Sequence, residues 1–211
     1  MIPLVVTVTL RSAITLPPGG GLALDGLLAS VVALEQGLVA GFGEMVRPEI
    51  PIAESACKRF HLASYAMIGD VPVYERRFVN RRPIAAEAQM FGDSKRLNIT
   101  AGVNKGYRIP QQTAHVRSVT WFAIGDLEEV RRLLQHVTHL GKKRSVGRGA
   151  IETWRIEPCP EMWDGFPVVR DGKPLRALPS DYPGLTSPKL RQVTLTYPYW
   201  EARRAEVCAV P

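Results

Sequence analysis

Apolar and β-branched residues alternate with threonine along residues 5–10, the two-residue period of a half-buried strand. A turn follows at Pro17-Pro18-Gly19-Gly20-Gly21. Leu24, Leu27, Leu28, Val31 and Leu38 then share one face at helical spacing, which predicts a helix from 24 to about 39. Asp25 falls in its first turn, where a carboxylate complements the helix dipole, so a cap or dipole role is read there before any catalytic one.

The middle of the chain is less regular. Residues 61–68 and 71–79 read as extended runs joined by a turn at Gly69-Asp70, a hairpin. The stretch from about 70 to 117 then reads as a basic hairpin or arm inserted into the domain, with nine Lys or Arg against four Asp or Glu. Regular pattern returns in a strand over 116–124. Asp126 and Glu129 hold capping-box spacing, and Leu127, Val130, Leu134 and Val137 form one apolar face. This predicts a helix from 127 to about 140, closed by Gly141. Another strand is expected over 150–156. Residues 157–188 carry seven prolines and read as a long surface excursion within the same domain, and 192–197 alternate as a final strand. Strand, helix, hairpin, strand, helix, loop, strand is the order of an α+β, ferredoxin-like (RRM-like) domain, here one domain over 1–211.

Charge sharpens this picture. The formal net charge is +7, which favours RNA, DNA or an anionic membrane surface as partner. The membrane reading fails: the apolar run over 22–42 carries Asp25 and Glu35 and is broken by glycines. The first ten residues lack a basic lead and read as a strand rather than a signal peptide. Cys57, Cys159 and Cys208 are widely spaced with no C-x-x-C pair, so neither a zinc site nor a disulfide framework is indicated, and a reducing cytoplasm fits.

The most telling stretch is His139-Leu-Gly141-Lys142-Lys143-Arg144-Ser145-Val-Gly147-Arg148-Gly149-Ala150, with four cations, no acid and three glycines between a helix and a strand. It fits neither the P-loop, which needs Gly-Lys-Ser/Thr after four residues, nor the dinucleotide fingerprint, so it is no nucleotide cradle and no cofactor is expected. It suits a polyanion instead: Lys142, Lys143, Arg144 and Arg148 neutralise phosphates, while Ser145 and the backbone at Gly147 and Gly149 approach them. A second basic cluster, Arg76, Arg77, Arg81, Arg82, Lys95, Arg96, Lys105 and Arg108, is interleaved with Tyr74, Phe78, Phe91 and Tyr107. Cations beside aromatics suit splayed single-stranded RNA. Tyr74 and Phe78 can equally face the core, whereas Tyr107 between Gly106 and Arg108 reads as exposed.

These residues carry a resemblance. A ferredoxin-like order with a glycine-rich basic loop directly after the second helix resembles the CRISPR-associated RAMP superfamily. The segment Leu22-Ala-Leu24-Asp25-Gly26-Leu27-Leu28-Ala29 is similar to the start of the "Cas five"-class subunit of type IV effectors. The resemblance implies a non-catalytic RNA-binding subunit that grips the 5′ handle of the guide RNA, with the basic insertion as a thumb over the handle. It implies the backbone and large effector subunits as partners, and target DNA as a further one. Some relatives cleave repeat RNA without metal, so the histidines His61, His115, His136 and His139 require weighing. His136 and His139 are expected on the second helix, where no third metal ligand accompanies them, and no metal is expected. His115 is the fallback catalytic residue of the alternative reading, a metal-independent endoribonuclease. A basic scaffold that binds protein rather than RNA is the other alternative.

Overall fold

Strand β1 (Ile2–Leu10) keeps the alternation its sequence sets, with Leu4, Val6, Val8 and Leu10 buried on one face. It is a central strand, flanked by β6 (Ser118–Gly125) and β7 (Ile151–Pro158), with the two-residue β3 (Met67–Ile68) beyond β6. Every neighbouring pair in this order, β3-β6-β1-β7, is antiparallel. The computed structural model describes residues 1–16, 21–38, 48–68, 73–81, 100, 105–199 and 201–211, with 77, 79 and 81 as backbone only. The expected turns at Pro17-Gly20 and Gly69-Asp70, together with Arg82, Phe91, Lys95, Arg96 and the side chains of Arg77 and Arg81, lie outside the described residues.

Helix α1 (Leu24–Glu35) and helix α2 (Leu127–Leu134) supply Leu24, Leu28, Val130, Leu133 and Leu134 to the core formed with the buried face of β1 and with Trp121 of β6. Both helices are shorter than their apolar spacing predicts. The first ends at Glu35 because Gly37 takes φ +64°, and the Gly37 and Leu38 amides then return to the carbonyls of Leu34 and Ala33 in a Schellman cap. The second starts as expected, with the Asp126 carboxylate accepting from the Glu128 and Glu129 amides at 3.0 Å. It stops at Leu134 rather than near 140. The Leu140 amide donates to Gly149 and the Ile151 amide to Thr138, so the segment after the helix pairs with the entry to β7. Val137 and Leu140 still reach the core from this non-helical stretch. His136 and His139 therefore do not sit on the helix as expected, and Gly141 does not cap it.

The hairpin is paired differently from expectation. Strand β4 (Val73–Arg81) runs antiparallel to β5 (Tyr107–His115), from Val73 opposite His115 to Arg81 opposite Tyr107. Residues 61–68 serve instead as the fringe of β6, through the bridge Ala63–Ala123, the Ile124 amide donating to the Leu62 carbonyl, and the short β3. The nine-residue match across β4 and β5 satisfies far more backbone than a local turn at 69–70 would. Pro110 is tolerated in β5 because β2 (Ile14–Thr15), its other neighbour, reaches only Ala114 and Thr113.

The proline-rich stretch is more than an excursion. It forms β8 (Val169–Arg170), β9 (Lys173–Pro174) and β10 (Leu178–Pro179), and β10 joins β12 (Glu206–Val210) and β11 (Lys189–Val193) in a second sheet. Phe60, Val168, Val169, Ala177, Leu178, Leu195 and Cys208 make a second core beside it. The final strand expected at 192–197 is thus β11 at Lys189–Val193, and its partner β12 went unrecognised in the sequence.

Asp25 joins α1 to this second unit. The wholly buried Arg176 guanidinium lies 3.3 Å from its carboxylate and donates to the carbonyls of His61, Ala63 and Leu195. The Tyr199 hydroxyl donates to both Asp25 oxygens at 2.7 and 2.8 Å, and a Cβ at Gly26 would strike the Tyr199 ring. Burial opposes ionisation of Asp25, yet the Arg176 charge, the neighbouring His61 ring and the hydrogen bonds from Tyr199 outweigh it and hold the carboxyl below its ordinary range. Burial, reinforced by the Asp25 charge, pushes the Tyr199 hydroxyl well above the usual tyrosine range. Every donor of the guanidinium fork is directed at an oxygen, which makes a buried charge tolerable here.

Candidate nucleic-acid interface

The glycine loop is bound to the body along one side only. Thr15 bridges Lys142, whose amide donates to the Thr15 carbonyl at 2.9 Å. The Gly149 amide donates to Ala13, and Ser12 Oγ donates to the Gly147 carbonyl at 2.7 Å while accepting from the Ala150 amide. Between these anchors Lys143 takes φ +63° and Arg144–Val146 form one 3-10 turn. The glycines differ in their reasons. A Cβ on Gly149 would lie 2.0 Å from the Leu140 carbonyl oxygen, so this glycine serves packing. Gly147 has φ +76° with open space around it, which leaves its backbone accessible.

The loop cations stand apart electrostatically. Lys142, Lys143, Arg144 and Ser145 are exposed, Arg148 is half-buried, and the four cations enter no ion pair among the described residues. On α2, in contrast, Arg131 binds Glu128, and Arg132 binds both Glu129 and Glu35. The Arg132 hydrogen bond holds the exposed Glu35 carboxyl below its ordinary value. The basic excess is therefore neutralised on the helix and left open on the loop.

Strand β2 brings the two basic clusters together. Thr15 pairs with Thr113 of β5 on one side and with Lys142 on the other, so loop and hairpin flank the same two residues. On one face of the hairpin Tyr74, Arg76 and Phe78 align with Arg108. The Arg108 guanidinium stacks over the Phe78 ring at 4.1 Å from its centroid, with Arg76 at 5.5 Å. Tyr74 is 52% and Phe78 42% exposed, so neither serves the core. Tyr107 is exposed on the opposite face, as its surroundings predict, and Lys105 is exposed beside it.

The histidines divide. His115 Nε2 lies 3.3 Å from the Glu75 carboxylate on the exposed hairpin. His61 is buried 3.6 Å from Asp25, His136 faces Glu35 at 3.6 Å, and His139 pairs with the Thr138 hydroxyl. Among the described residues no three metal-ligating side chains converge. A groove of about 410 Å³ between α2 and β7 is lined by Arg131, Val137, Thr138, Ile151 and Trp154, and no histidine lines it. No described helix is long and apolar enough to cross a membrane.

Residues 76–211, from within β4 through the glycine loop to the last strand, match the family model of CRISPR type IV associated protein Csf3. The chain belongs to this family. Membership makes it a subunit of a type IV CRISPR effector, with other effector subunits as its partners. A comparison with curated proteins returned no match. The part of the chain covered by the family model includes Arg76, Phe78 and Arg108 of the hairpin and the open cations of the loop, whereas β1, β2, α1 and Tyr74 precede it.

Proposed function

We propose that this Csf3 protein is the non-catalytic subunit that grips the 5′ handle of the guide RNA and contacts the backbone subunit of the effector. The observation that carries this reading is the set of glycine-loop cations in no ion pair among the described residues, joined through Thr15 to the same hairpin that carries, farther along its strands, an exposed Arg–Phe–Arg stack. Phosphates are drawn by Lys142, Lys143, Arg144 and Arg148, the exposed Ser145 hydroxyl adds a hydrogen bond, and the open space at Gly147 lets the strand come close, its own amide and carbonyl being engaged by Arg144 and Ser12. Unstacked bases lie on Phe78 and Tyr74, with Arg76 and Arg108 beside them, while Tyr107 and Lys105 serve the opposite face of the hairpin; Arg77, Arg81 and Arg82 are assigned to the same contact from the sequence alone. The sheet order β3-β6-β1-β7, with α1 and α2 as its two crossovers, supports reading the first unit as a ferredoxin-like RAMP domain and the β4–β5 hairpin as its thumb.

The second reading is metal-independent cleavage of repeat RNA, favoured by one observation: His115 stands exposed against a carboxylate, the pairing a general base uses. Labelled repeat RNA and an unrelated RNA, titrated in EDTA and run on native and denaturing gels, separate the two. Preferential binding of intact repeat RNA, lost in Lys142→Glu/Lys143→Glu/Arg144→Glu, is expected. A discrete product that disappears in His115→Ala makes the protein the processing nuclease. Absence of RNA binding refutes both and leaves the protein-binding scaffold.

A further inference from the structure

The sheet β3-β6-β1-β7 has a second face, opposite the two helices, and its register gives that face a definite composition. Ser118, Thr9 and Thr153 stand side by side in one row across three strands. Thr120, Thr7 and Arg155 form the next, with the Thr7 and Thr120 hydroxyls 3.3 Å apart. One step further the chemistry changes. Val5 lies between Phe122 and Glu157, and Phe122 is covered by Trp163 at 4.8 Å and Phe166 at 5.9 Å. The aromatic cover stops there. The hydroxyl rows belong to neither apolar core, and Thr153 and Arg155 are exposed.

The rows begin where the glycine loop ends. The Leu10 amide donates to the Arg117 carbonyl and the Arg11 amide to the Ala150 carbonyl, both at 2.8 Å. Exposed Arg11, two residues from Thr9, thus stands between the loop and the first row, in no ion pair among the described residues, whereas Arg117, opposite Leu10, does not belong to this face. A hydroxyl face alone is what any solvated sheet shows. An open cation at its entrance, Arg11, continuous with a loop of four more, gives it a polarity of use.

We propose that a single RNA strand leaving the loop continues across this face, with its phosphates drawn by Arg11 and hydrogen-bonded by Thr9, Thr153 and Thr7. This rests on the RNA-binding reading above and adds a second contact surface to it. Successive rows lie about 7 Å apart, two residues along the strand, which suits one extended nucleotide per row. The rows offer hydroxyls and no aromatic ring, so this surface holds the backbone without stacking bases and without preference for sequence.

The test uses oligouridylates of about 6 and about 16 nucleotides, lengths within and beyond one contact site. The wild-type protein binds the longer strand about tenfold more tightly at equal salt. Thr7→Val/Thr9→Val/Thr153→Val, which keeps shape and strand propensity, binds the short strand as wild type and loses that roughly tenfold gain. Arg11→Gln, confined to an exposed side chain, shows the same selective loss and stands in should the threonine variant fold poorly. Full retention of the length gain in either folded variant, while the loop variant weakens both strands, overturns this inference and leaves RNA binding intact. Failure of the wild type to bind either strand overturns this inference, and absence of repeat-RNA binding as well overturns both.

Discussion

Thr15 and Lys142 form an antiparallel bridge, with the Lys142 amide 2.9 Å from the Thr15 carbonyl, and Thr15 also faces Thr113 of the hairpin. Two basic elements far apart in sequence therefore share one support. The loop keeps its shape through backbone bonds to residues 12–15, and its side chains are left to the solvent. A ligand spanning loop and hairpin meets a surface whose backbone is already arranged, which lowers the ordering cost of binding.

Glycine substitutions separate scaffold from surface. Gly149→Ala places a methyl against the Leu140 carbonyl at φ +65° and is expected to cost about 3 kcal/mol or more in urea unfolding. Gly147→Ala meets open space and carries only the left-handed backbone penalty, roughly 1 kcal/mol. Equal losses at the two positions contradict the packing role of Gly149.

The Asp25 network makes stability depend on pH in one direction. Its carboxyl is held below the ordinary value in the folded chain, so its contribution is complete above about pH 4 and is lost as pH falls through the lowered folded value. Urea unfolding from pH 7 down to pH 3 should show this fall, and Asp25→Asn should flatten it. Arg176→Met leaves a buried carboxylate unpaired and is expected to cost about 3–5 kcal/mol. Tyr199→Phe removes only the hydroxyl bonds and should cost roughly 1–3 kcal/mol.

Thiol chemistry reports on the second core. Cys57 is exposed, whereas Cys208 is buried and its thiol is pushed up to about 11, by desolvation first and by nearby Glu206 second. An aromatic disulfide reagent at pH 8 should label Cys57 quickly and Cys208 only after unfolding. Fast labelling of Cys208 in Cys57→Ser contradicts the packing of β12.

Phe78 and Arg108 are exposed, so their loss should spare the fold and strike binding. Phe78→Ala is expected to leave the thermal midpoint within a degree or two and to weaken repeat RNA about tenfold, the worth of one stacked base. A lower midpoint with unchanged binding returns Phe78 to a structural role.

What the sequence made legible follows how local each signal is. The alternation in β1 and the Asp126 cap depend on neighbours within a few residues, and both stand as read. Helix ends were misplaced because apolar spacing continues past the point where Gly37 or the pairing of Leu140 with Gly149 takes over the backbone. The hairpin was joined to the wrong partner for a related reason: a turn signal at Gly69-Asp70 is local, while the register of β4 with β5 is set across the long basic insertion. Asp25 was read as a dipole complement. Its partners Arg176 and Tyr199 lie 151 and 174 positions away, and only an acid set among Leu24, Leu27 and Leu28 hinted at a buried role. The glycine loop was found because charge and glycine content are visible without any partner. Its attachment to β2 was not, since a two-residue strand carries no periodicity.

The most direct measurement is the salt dependence of repeat-RNA affinity for the wild type and for Lys142→Ala/Lys143→Ala/Arg144→Ala. Each phosphate neutralised on a single strand adds about 0.7 to the slope of log affinity against log salt. A steep wild-type slope, reduced by about 2 units in the loop variant while unfolding is unchanged, is the result expected of a loop that grips RNA backbone. A slope identical in the two proteins contradicts it.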